Sequence, residues 1–87
     1  MSREAKQHAE EITALELDLS EDEVRAFVLS TAPKEIRKGG KMKVDWLHID
    51  AVALRAVRKV AISFDLSQSG ARAMIKQNFL NNYDGDE

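Results

Sequence analysis

The sequence predicts an all-α protein, a compact bundle of about four helices whose last two meet at a tight corner. Three observations carry that expectation. Apolar residues recur at helical rather than alternating spacing along most of the chain. Helix starts and stops are marked by Ser20, Pro33 and Ser67. The 87 residues are 44% hydrophobic and 32% charged, a folded composition that allows one domain with a modest core.

The first helix is expected over roughly residues 3–16, where Ala5, Ala9, Ile12 and Leu15 form a narrow apolar stripe. The second starts at "SEDE". Ser20 is its N-cap and Glu23 lies three residues on, a capping box, with Glu21 and Asp22 favourable at the positive helix end. Val24, Phe27, Val28 and Leu29 give it an apolar face. Pro33 ends it, because the residue before a proline avoids the helical region.

The segment "PKEIRKGGKMK" then reads as an exposed, mobile basic loop over 33–43. Pairing across Gly39-Gly40 would set Lys38 against Lys41, which disfavours a hairpin. A third helix starts between Val44 and Asp50 and runs to Ser63. Ile49, Val52, Ala53, Ala56, Val57, Val60 and Phe64 fall on one side; His48, Arg55, Arg58 and Lys59 fall on the other. Ile62 lands among the basic residues. Trp46, where the loop enters this helix, is expected as a core anchor. A fourth helix covers about 68–80, and "NNYDGDE" reads as a polar tail in which Tyr83 is mobile unless it folds back. In domain terms, residues 1–83 form one helical unit: acidic helices over 3–31, the basic loop, and a corner unit over 45–80. Residues 84–87 are an acidic tail.

Charge is unevenly placed. Residues 1–33 hold three basic and eight acidic side chains, residues 34–76 ten basic and four acidic, and the last eleven residues three acidic ones, which together give the net −2. Such asymmetry bears on partners more than the total does. There is no cysteine, which excludes disulfides, thiolate zinc sites and cysteine nucleophiles. "MSREAKQHAEE" lacks the apolar core of a signal peptide, and no apolar run reaches the length of a membrane span, so a cytoplasmic protein is expected. His8 and His48 stand far apart without ligand partners, no phosphate-binding glycine loop is present, and no serine has a His-Asp pair. The sequence therefore predicts no enzyme, no metal, no cofactor and no small-molecule substrate.

The stretch "ISFDLSQSGARAMIKQ", residues 62–77, carries the functional expectation. Asp65 takes the turn position, since Asp is among the few residues besides glycine that tolerate left-handed φ. Phe64 and Leu66 flank it as a buried pair, and Ser67 caps the following helix. Ala71, Met74, Ile75 and Phe79 point inward, while Gln68, Arg72 and Lys76, with Ser69 and Ala73 beside them, point outward. Amide and small side chains near a helix start suit base edges, and cations suit phosphates. Gln68, Ser69 and Arg72 are the candidate base contacts. Lys41, Lys43, Arg55, Arg58, Lys59 and Lys76 are the candidate phosphate contacts.

Residues 53–76 resemble the helix-turn-helix superfamily found in repressors and recombinase-type DNA-binding domains, and "DLSQSGARAMIKQ" is similar to the "GVSQSTVSR" type of turn and recognition-helix start. The resemblance implies a small regulator or accessory factor that binds duplex DNA, expected as a homodimer because one such unit offers a small interface. The competing expectation is a non-enzymatic interaction module. It would dock a protein partner through its acidic N-terminal face, with Glu21, Asp22 and Glu23 as contacts and an exposed Trp46 adding an apolar one.

Overall fold

The computed structural model describes residues 3–38 and 44–84. They are all-helical, with α1 (Arg3–Leu17), α2 (Glu21–Ser30), α3 (Lys34–Lys38), α4 (Trp46–Phe64) and α5 (Gln68–Asp84). The four long helices form a ring: α1 packs on α2 and α5, and α4 packs on α2 and α5. Val24 and Phe27 of α2, Val57 and Val60 of α4, and Ile75 and Phe79 of α5 meet at its centre.

Two turns use the same device. Asp18 and Asp65 hold left-handed φ of 56° and 55°. After Asp18 the Leu19 N–H donates to the Ala14 carbonyl at 2.8 Å, and after Asp65 the Leu66 N–H donates to the Ala61 carbonyl at 2.8 Å. Each hydrogen bond reaches back past the helix end to satisfy an otherwise orphaned carbonyl, which lets the chain reverse within a few residues. The capping box at Ser20 is complete: Glu23 N–H donates to Ser20 Oγ at 3.1 Å, and Ser20 N–H donates to Glu23 Oε1 at 2.9 Å.

Several expectations need correction. The basic loop contains a helix, α3, in its first half. Pro33 starts it, its carbonyl accepting from the Ile36 and Arg37 N–H groups at 3.1 Å. Proline suits a helix start because its missing N–H is not needed there. Glu35, Arg37 and Lys38 then match the helix ends in charge. The rest of that loop, residues 39–43, lies outside the described residues.

On α1 the inward face is set differently from the predicted stripe. Ala5 and Ala9 are buried, but Leu15 is 80% exposed while Glu10, Thr13, Ala14 and Leu17 turn inward. Small residues here let α1 approach closely, and Leu17 with Leu19 fills the space. Burial of Glu10 is tolerated because Arg25 Nε stands 3.6 Å from its Oε1. Finally, α5 runs four residues past Leu80. Tyr83 folds back, its ring edge-on to Phe79 at 5.5 Å and 76°.

Candidate nucleic-acid interface

The corner between α4 and α5 is built from its backbone outward. Asp65 ends α4 in the left-handed region, and Ser67 opens α5 by accepting the Gly70 N–H on its hydroxyl at 3.1 Å. The Ser67 carbonyl receives the Ala71 N–H at 2.9 Å. Gly70 has a local reason to lack a side chain. A Cβ there would stand 3.3 Å from Ser67 Oγ, crowding the capping hydroxyl by a few tenths of an ångström, and in ordinary contact with Leu66 Cβ at 3.5 Å.

From this start α5 divides as its spacing predicts. Ala71, Ile75 and Phe79 are buried and Met74 is half-buried against them. Gln68, Ser69, Arg72, Ala73 and Lys76 are all exposed. Neither Arg72 nor Lys76 lies in ion-pair distance of a carboxylate among the described residues. The flanking pair departs from expectation. Phe64 and Leu66 are 43% and 36% exposed, because α4 runs a full turn past Val60, its last buried residue, before the chain reverses. The corner therefore projects an apolar edge beside the polar row of α5.

The basic residues of α4 do not act as one group. Lys59 Nζ lies 3.0 Å from Glu23 Oε2, and Arg55 Nε lies 3.4 Å from the same oxygen. Glu23 itself is buried at 2% exposure. Burial alone pushes its carboxyl upward. The Ser20 backbone N–H and the Lys59 ammonium outweigh that effect and hold it below the ordinary carboxylate value. Arg55 and Lys59 thus neutralise an internal charge, whereas Arg58, also exposed, has no carboxylate partner among the described residues. Lys41 and Lys43 lie outside the described residues.

The same geometry removes Glu23 from the acidic docking surface expected of "SEDE". Its place at the third position of the helix turns its side chain back to cap Ser20 and inward to α4. Glu21 and Asp22 remain exposed but share Arg25, at 4.0 and 3.2 Å. Trp46 is not a core anchor. It is half-buried at the surface, covered by the Arg37 guanidinium 4.6 Å above its ring. Arg37 also donates to Asp50 at 2.6 Å, so α3 is pinned to the start of α4. Sequence reasoning passed over Arg37 because nothing near it in the chain marks its partners. The Arg55–Lys59 pair, one turn apart on α4, was the available signal for a buried carboxylate on a neighbouring helix.

Comparison of the chain with family models, curated proteins and solved structures gives no match.

Proposed function

We propose that the α4–α5 corner docks on duplex DNA, with α5 as the reading helix and the protein acting as a small regulator or accessory factor. One observation carries the reading. The outward row of α5 presents Gln68, Ser69, Arg72 and Lys76 to solvent, and its two cations face no carboxylate among the described residues. A capped, exposed helix start followed by unpaired cations one turn apart suits a groove: amide and hydroxyl groups at the base edges, Lys76 at a phosphate and Arg72 forked to guanine. Arg55 and Lys59 contribute less than their charge suggests, because Glu23 already holds both.

Fluorescence anisotropy of a labelled mixed-sequence duplex, titrated across salt concentration, tests the proposal. Affinity is expected to fall linearly on a log–log plot. Lys76→Ala should reduce the slope by about one and weaken all sequences alike. Arg72→Ala should instead flatten the preference among sequences. No binding at low salt refutes the reading.

A further inference from the structure

The outer side of α4 carries a second apolar stripe, opposite the one it buries. Leu47, Ala51, Leu54, Arg58 and Ala61 recur at alternating spacings of four and three residues, the seam pattern of paired helices. Ile62 borders its far end. Leu47 is 85% and Ile62 83% exposed, Ala51 is exposed, and Leu54 and Ala61 are half-buried. The inner face, Val52, Ala53, Ala56, Val57 and Val60, is separately buried within the chain. So α4 is apolar on two sides: the inner one is buried, while on the outer one Leu47, Ala51 and Ile62 stay exposed and Ala61 packs partly against the core.

We propose that this outer stripe is a homodimer interface, in which α4 lies antiparallel against α4 of a second copy, centred near Leu54. Charge complementarity selects that occupant and that direction. The stripe holds one cation, Arg58, the α4 cation that no described carboxylate reaches, whereas Arg55 and Lys59 are held by Glu23. An antiparallel copy brings the partner's Asp50 level with Arg58, twice by symmetry. Asp50 Oδ2 accepts from the Arg37 guanidinium at 2.6 Å, and its other oxygen has acceptor capacity to spare. A parallel copy would set Arg58 against Arg58 at the seam. Size complementarity agrees, since the bulky Leu47 comes level with Ala61. Four turns of one helix cover less than the ~800 Å² per partner of a standard interface, so the dimer forms in a concentration-dependent equilibrium.

The interface is independent of the DNA reading and is tested on the protein alone. In sedimentation equilibrium the average mass rises with concentration from one chain towards two. Arg58→Glu, an exposed change that far-UV circular dichroism should show to be folded, moves the midpoint to about tenfold higher concentration or more. Asp50→Asn, which keeps an acceptor for Arg37, should weaken association as well, and its effect should not add to that of Arg58→Glu; full additivity overturns the pairing. The chain has no cysteine of its own, so single cysteines report direction and register. Leu54→Cys should oxidise to a covalent dimer. Leu47→Cys should not, because the two copies of that residue stand about 20 Å apart at 1.5 Å rise per residue. A single-chain mass at every concentration, association indifferent to Arg58→Glu, or faster crosslinking at Leu47→Cys than at Leu54→Cys overturns the proposal.

Discussion

Replacing Glu23 tests the electrostatic centre of the fold. Its side chain is 3% exposed, while the cations that meet it, Arg55 and Lys59, are 62% and 51% exposed. Glu23→Ala removes three contributions. The Ser20 N–H at 2.9 Å loses its acceptor, which is worth about 1 kcal/mol for a helix cap. One buried methylene, Cγ, is lost, at roughly 0.8 kcal/mol. The pairing with two half-exposed cations adds less than about 1 kcal/mol each, because solvent screens them. Relief of the carboxylate's desolvation offsets part of this, so the expected loss is about 2 kcal/mol. Glu23→Gln keeps the shape and the bond from Ser20 and should lose about 1 kcal/mol.

The pH dependence has a definite sign. The folded carboxyl lies below its unfolded value, so its stabilisation is fully present above the unfolded pKa and disappears as pH falls through the folded one. Urea unfolding followed by circular dichroism at pH 7 and through the acid range measures both effects. The Gln variant should show a shallower loss of stability below the ordinary carboxylate range than the natural protein. A Glu23→Ala variant within about 0.5 kcal/mol of the natural protein, or an acid limb unchanged in Glu23→Gln, refutes the reasoning.

Two further outcomes are expected. Asp65→Gly should hold or raise stability in urea, because glycine enters the left-handed region without strain. Asp65→Val should lower it by about 1–2 kcal/mol, and equal effects would contradict the turn geometry. Arg37→Ala uncovers the single tryptophan, so the emission of Trp46 in dilute solution should shift to the red; an unchanged spectrum would show that the guanidinium does not cover the ring.

Local signals were legible and tertiary ones were not. Ser20, Asp65 and Ser67 act on backbone groups within a few residues, so their roles followed from spacing alone. The inward row Ala71, Ile75 and Phe79 was equally plain, because a single clear apolar row defines that face. On α1 the rule failed. Its apolar residues are mostly alanines, which do not choose a face by themselves, and a distant Arg25 made room for Glu10 where Leu15 was expected. The capping role of Glu23 is local and legible, but its inward turn, which removes it from the expected acidic docking face, is not, because Arg55 and Lys59 lie 32 and 36 residues away. Periodicity places Phe64 on the core side of α4 but carries no information on where the neighbouring helices stop, and the residue is 43% exposed. For the candidate interface, the outward positions of α5 were legible, but the division of cations on α4 into occupied and unoccupied ones required the tertiary structure.

The ring of helices has a consequence for cooperativity. Its closing seam joins α1 to α5, the first and last helices, and Asn82 donates to Glu16 across it at 3.2 Å over a separation of 66 residues. Contacts of such long sequence separation form only after most of the chain is ordered. Loosening that seam opens the ring at one place and leaves α1 held by α2 alone and α5 by α4 alone, while the α2–α4 pair stays intact. Amide protection of α1 and α5 should therefore rise and fall as one unit, with the α2–α4 pair as the slower-exchanging remainder.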